Sequence, residues 1–286
     1  MIGKLLARLW LGGVIAASVV TLAACSGDDG GETTGQSTNG NANLGSAYVK
    51  RLEFPKLKTD NVKVIVHTAD GEVNYAVEWD TKLNSQHWTC YEMYDSNSKA
   101  NTTRYYGDPQ YPQDPLYPTT DLIRGSGYDH GHICPSADRL VSKEQNYQTF
   151  FLTNMQPQRS VFNGSADGYS GIWLNMENAV RNLARRRSFC DTLYICKGGT
   201  IGSGGTLTNQ ILETRYNGLV VPGYFFVALL RVYNGQYNAI GLLFKHEDNT
   251  DTYLGDYAMS IDQLEVLTGF DFFCNLPDNR ENVIES

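Results

Sequence analysis

The sequence predicts an α+β domain: a mixed, largely antiparallel sheet with a few packed helices. Two observations carry this. Runs rich in β-branched and aromatic residues recur along the chain at 62–67, 75–79, 87–94, 150–153, 193–196, 224–232 and 237–244, each bounded by turn residues. Against them stands one long amphipathic stretch, 172 to about 188, in which Ile172, Met176, Val180, Leu183 and Ala184 recur at helical spacing. Trp173, Glu177 and Arg181 step by four along an adjacent face of that helix. A second, shorter helix is expected over 260–267, started by Ser260 or Asp262. No internal repeat is visible.

The N-terminus reads differently. Lys4 and Arg8 precede an apolar run over 9–24, the layout of a secretory signal. The run closes on Leu22-Ala23-Ala24-Cys25, which resembles a bacterial lipobox, cleaved before a cysteine that is then lipidated. The rival reading is a short transmembrane anchor, but the run is shorter than the ~20 apolar residues a spanning helix needs. Residues 25–46 are Gly, Ser, Thr, Asn and acid with almost no apolar side chain, so they are expected to form a flexible acidic and polar tether. Its acidic start resembles a surface-export signal of bacterial lipoproteins. The expected organisation is therefore a signal peptide at 1–24, a tether at 25–46 and one large domain at 47–286. An exported lipoprotein at the outer membrane or cell surface follows, touching the membrane through its anchor alone.

Formal charge is −8, and removing Lys4 and Arg8 would leave about −10. That is a poor global match to a polyanion, although a local cluster can dominate a cleft. Arg181, Arg185, Arg186 and Arg187 form one such cluster, which also reads as the solvated end of a helix. Beyond Cys25 lie Cys90, Cys134, Cys190, Cys196 and Cys274, an odd number that leaves at least one thiol unpaired and a connectivity that spacing does not determine. No pair shows the close repeated spacing of a zinc site.

The chemistry concentrates in the middle of the chain. His130 and His132, the only two of the five histidines that sit together, lie in Asp129-His130-Gly131-His132 between the turn residues Gly125-Ser126-Gly127 and Pro135. Histidine titrates near neutrality, so a rigidly held one can take a proton from water. Asp138 follows, then Asn154-Met155-Gln156-Pro157-Gln158, Asn163, Gly171-Ile172-Trp173, Glu177 and Arg181. This succession resembles the DNA/RNA non-specific endonuclease family, that of the secreted sugar-non-specific nucleases and endonuclease G. The resemblance runs from about residue 50 to the end, including the segment 257–273.

The resemblance implies a ββα-metal active site and magnesium-dependent hydrolysis of phosphodiester bonds in DNA and RNA, with manganese as a substitute metal. It makes His132 the general base and Asn163 the direct metal ligand. Glu177 would hold a metal-bound water or assist the leaving group, Arg181 would contact the phosphate, and Arg104 would stabilise the transition state. Asp129 and Asn154 would support the site, Asn154 through backbone hydrogen bonds. Products would carry 5′-phosphates, and low sequence selectivity is expected where contacts fall on phosphate and sugar.

Two departures stand out. The family pattern is Asn-x-Gly-x-Trp, yet Asn163 lies six residues further from Trp173, so either an insertion loops out after it or Asp167, or no protein group, takes the metal position. Where the family has an arginine before Gly-His, this chain has His130, which offers one donor in place of a permanent fork. Arg104 reads alternatively as a loop arginine, with Arg124 a nearby spare, and Glu177 with Arg181 as an exposed i,i+4 ion pair. The rival functions are a weakened nucleic-acid-binding surface protein on the same scaffold and a phosphodiesterase for small substrates. A free Cys134 thiol, two residues after His132, would make activity redox-sensitive.

Overall fold

The computed structural model describes residues 39–94, 111–164, 171–249 and 253–286. The signal segment, Cys25, Arg104 and Asp167 lie outside the described residues. Among those described, no helix is long and apolar enough to cross a membrane.

Seven strands form the main sheet: β1 (Val62–Ala69), β2 (Glu72–Asp80), β3 (Ser85–Tyr94), β6 (Thr192–Gly199), β9 (Tyr224–Tyr233), β10 (Gln236–Lys245) and the two-residue β11 (Ala258–Met259). They lie side by side in that order, every pairing antiparallel. The central strands are buried on both faces, which is why β9 reads as one apolar run. Phe225, Val227 and Leu229 point into one core, Phe226, Ala228 and Leu230 into the other. β6 follows the same alternation, with Leu193 and Ile195 on the first face and Cys196 on the second.

On the first face lies α3 (Ile172–Ala184), and all five residues of its predicted stripe are buried there. The helix stops at Ala184 rather than near 188. The stripe ends there, and Arg185 to Arg187 bring no apolar surface to bury. On the second face sit α4 (Ile261–Thr268) and α5 (Asp278–Ile284). Ser260 caps α4 in a reciprocal capping box with Gln263, close to the predicted start.

The smaller elements build the site. β4 (Asp129–His132) pairs antiparallel with β5 (Met155–Gln158), and α1 (Lys143–Gln148) lies between them in sequence, within a 22-residue connection. Two short strands, β7 (Ile211–Thr214) and β8 (Val220–Pro222), pair beside them, and α2 (Ser160–Asn163) leads on towards α3. The strand expected at 150–153 is absent. Phe151 and Leu152 are both buried, but they close helical turns after α1, with the Phe151 amide donating to Gln148 O, and pair with no strand.

The tether is expected to reach 46, but residues 39–43 are docked onto the domain. The Asn39 amide donates to Leu276 O, Asn41 to Asp271 and Glu281, and the buried Asn43 to Val49 O and Pro55 O. Docking here runs through asparagine amides, which an argument from missing apolar residues does not register.

Candidate active site

A cleft of about 470 Å³ opens between β4 and α3, lined among others by His132, Asn163, Glu177, Arg181 and Arg185. His132, Asn163, Glu177 and Arg181, from three separate elements, thus line one cleft.

His132 ends β4. Gly131 before it leaves room for the Gln158 side chain of β5, which a Cβ would meet at 2.3 Å. The indole Nε1 of Trp173 donates to His132 O at 3.3 Å, tying the first turn of α3 to the strand. The imidazole stands edge-on to Phe150, ring centres 5.0 Å apart. Burial pushes its pKa down to about 4, the neighbouring charges of His130 and Lys197 acting the same way. Nε2 is buried without a hydrogen-bond partner. In the tautomer with the proton on Nδ1, its lone pair is free to act as a base.

Asn163 ends α2. Its amide nitrogen donates to Asp129 Oδ2 at 3.2 Å, and Asp129 Oδ1 accepts from Ser160 at 3.0 Å. Asp129 thus clamps both ends of this single helical turn and orients the amide, leaving its oxygen for a hard cation. The six extra residues do not displace Asn163. A Cβ on Gly171 would lie 2.3 Å from Phe162 O and 2.5 Å from Gly164 N, so the chain returns to the point it left. With 165–170 set aside, the backbone reads Asn163-Gly164-Gly171-Ile172-Trp173, which restores the five-residue pattern.

Glu177 and Arg181 are not an exposed ion pair. Arg181 is buried, its Nε donating to Asp138 Oδ1 at 2.6 Å and Nη1 to Asn178 at 2.8 Å. The cation nearest Glu177 is Lys197 of β6, 3.7 Å away, with side chains 2% and 11% exposed. Lys197 follows Leu193 and Ile195 on the sheet face beneath α3, its ammonium 5.0 Å from the Trp173 ring. Burial pushes the Glu177 carboxyl up to about 7 against the pull of Lys197, and the same burial lowers the Lys197 ammonium.

The remaining predicted residues stand around this core. Asn154 is buried, accepting from Cys134 N at 2.8 Å and donating to Cys134 O at 2.9 Å and Thr149 O at 2.8 Å. His130 does not line the cleft. Its Nε2 lies 2.9 Å from Asp121 Oδ1, and its ring stacks on Tyr111 at 4.0 Å. Arg124 pairs with Asp121 at 3.2 Å. Cys134 is fully buried and its thiol is pushed up to about 12 by burial, so it stays protonated and out of reach. The redox sensitivity expected of it has no basis in this geometry. All five described cysteines are free thiols.

The profile of the DNA/RNA non-specific endonuclease family matches residues 59–279. The chain belongs to this family. It is a nuclease, a hydrolase of nucleic acids. A nuclease of Nostoc sp. is 29% identical over 81% of this chain and 80% of its own length. The mitochondrial endonuclease G of Caenorhabditis elegans is 24% identical over 71% of this chain and 67% of its own. A solved chain from a complex of EndoG with EndoGI shares the α+β fold, with a TM-score of 0.64 at 20% identity over 84% of this chain and 96% of that one.

Sequence reasoning passed over three partners in this nuclease's site: Lys197, Asp138 as the acceptor for Arg181, and His246. The last accepts the Arg159 amide at 2.8 Å, fixing the start of α2, and its Nδ1 bonds Pro222 O at 2.8 Å. Lys197 alone carried a signal, a lysine at an inward position of an apolar strand.

Proposed function

We propose that this nuclease hydrolyses phosphodiester bonds in DNA and RNA with little sequence selectivity, in a magnesium-dependent reaction with His132 as general base. The observation that supports it most is the shared cleft, where a neutral, unpartnered His132 Nε2 meets Asn163, Glu177 and Arg181. His132 is neutral above about pH 4, so Nε2 can take a proton from a water attacking phosphorus throughout the physiological range. Ionised Glu177 accepts a hydrogen bond from that water or another and orients it. Arg181, two of its nitrogens held by Asp138 and Asn178, retains Nη2 for a phosphate oxygen.

The residues present fit a magnesium ion. The Asn163 oxygen is a hard donor oriented by Asp129, and one protein ligand suits a cation that usually keeps several waters. The ion would supply positive charge against the phosphate as negative charge develops there. Arg104 belongs to this proposal on resemblance. So does the cellular placement, a lipoprotein anchored through Cys25 at the outer membrane or cell surface.

The test is degradation of plasmid and RNA by the full chain with magnesium, with chelator, and with His132→Ala. Magnesium-dependent cleavage lost in the variant is expected, with circular dichroism reporting that the variant is folded. No cleavage by folded wild-type protein across magnesium, manganese and a range of pH would overturn the proposal and favour a binding role or a small-substrate phosphodiesterase.

A further inference from the structure

On the sheet face away from the cleft, three carboxylates converge with no basic partner among them. Asp262 and Glu265 stand one turn apart on α4, and Glu285 follows α5; their ligand oxygens all lie within 4.8 Å of one another. A cluster of acids alone would mean little. Here Glu285 is 6% exposed, and its Oε1 is buried with no hydrogen-bond partner. An orphaned carboxylate oxygen aimed at two further carboxylates is a costly arrangement unless a cation completes it.

The surroundings add negative charge. Asp271 and Glu281 lie close by, sharing the Asn41 amide at 3.2 Å and 2.9 Å. The lysine on that side, Lys56, has its ammonium bonded to the carbonyls of Asn41 and Ala42. The backbone is already fixed for the purpose. The Asp262 amide donates to Glu285 O at 3.0 Å, clamping the end of α5 to the first turn of α4, and Glu265 Oε1 accepts from Phe272 N at 2.6 Å.

The geometry points to a structural calcium site formed by Asp262, Glu265 and Glu285. All donors are oxygens, which excludes the soft transition metals' preferred nitrogen and sulfur. Three carboxylates, each able to bind through one oxygen or two, give a donor set of variable number, which calcium accepts more readily than octahedral magnesium. Exposed Asp262 gives the ion its entry and leaves room for waters. The bound ion joins α4 to α5 and so secures the C-terminal segment against the sheet. The site stands apart from the catalytic cleft and does not depend on the nuclease proposal.

The test uses the full chain stripped with chelator and dialysed. Thermal unfolding is followed with calcium chloride or magnesium chloride at 1 mM, for wild type, Glu285→Gln, Asp262→Asn and Asn163→Ala, with calcium stoichiometry by titration calorimetry. Expected is a calcium-induced rise in Tm of roughly 5 °C, larger than that with magnesium. Asn163→Ala should keep this rise and bind one calcium per chain; the two carboxylate variants should lose it. Asp262 is exposed, so its variant remains informative if Glu285→Gln fails to fold. The proposal is overturned if calcium leaves the wild-type Tm unchanged, if Asp262→Asn keeps the full rise, or if Asn163→Ala abolishes it, which would place the calcium in the cleft.

Discussion

Replacing Lys197 with methionine isolates the feature of this active site that is least visible in the sequence. The ammonium lies 3.7 Å from Glu177 Oε1, the lysine side chain buried and the glutamate 11% exposed. At an effective dielectric of about 20, the attraction at that separation is roughly 4 kcal/mol, equivalent to about three pH units of carboxyl pKa. Water entering the vacated volume would reduce the effect to about one unit. With Lys197 in place the carboxyl already titrates near 7, because burial outweighs the lysine. Since this folded value lies above the unfolded 4.5, the stability Glu177 contributes is fully present below about 4.5 and lost as pH rises through about 7. Ionised Glu177, the form proposed to orient water, is therefore the costlier form in the fold, and Lys197 is what keeps it accessible near neutral pH. The assay is the pH dependence of kcat/KM on plasmid at saturating magnesium. A cation in the cleft itself lowers the carboxyl, so the comparison is between variant and wild type. The acid limb should move up by at least one unit, with activity at pH 7 falling about fivefold or more and recovering as pH is raised. His132 cannot supply this limb, because its own transition lies near 4. Methionine keeps the length of the side chain and removes a buried charge, so Tm at pH 6 should stay within a few degrees. A uniform loss at every pH with an unmoved limb would refute the electrostatic role and leave only packing against Trp173.

Three other outcomes follow from the geometry. Deleting 165–170, so that Gly164 joins Gly171, should leave cleavage within about threefold and stability within ~1 kcal/mol, because the chain ends already meet; a folded but inactive deletion would move the metal ligand into the excised segment, where Asp167 lies. Asp129→Ala removes the acceptors for Ser160 and Asn163, and should weaken magnesium-supported cleavage roughly 10- to 100-fold, read as the magnesium concentration needed for half-maximal rate. Maleimide or an aromatic disulfide should leave native Cys134 unlabelled over hours and activity unchanged, since burial holds its thiol near 12; rapid labelling with loss of cleavage would contradict this burial.

What could be read from the sequence was whatever is written in local order. The stripe of α3, the apolar runs of the central strands and the capping of α4 each depend on neighbours within a few residues, and the structure has all three. The cleft residues were legible for another reason: His132, Asn163, Glu177 and Arg181 occur in the order of a known family, and the fold brings them to one cleft. Failures came where side chains choose distant partners. Glu177 and Arg181 are four apart on one helix, so local reasoning pairs them, yet Asp138 holds the arginine and Lys197 faces the glutamate. Asn39 to Asn43 look like tether because they have no apolar surface, yet their amides dock onto residues more than 200 positions later.

His130 shows how far such displaced pairing reaches into function. An arginine there would bring a permanent charge two residues from His132. The imidazole is instead held against Asp121 and Tyr111, outside the cleft lining, and that same Asp121 also takes Arg124. Among the described residues, the arginines that line the cleft are Arg181 of α3 and Arg185 just past its end. That concentration in the cleft reconciles a chain of net charge −8 with a polyanionic substrate, because a cleft with low-dielectric walls focuses the field of the charges that line it. It also separates the two arginines' roles. Arg181 is buried and fixed by Asp138, so it can position a phosphate, whereas Arg185, beyond the last turn, supplies attraction that salt should screen.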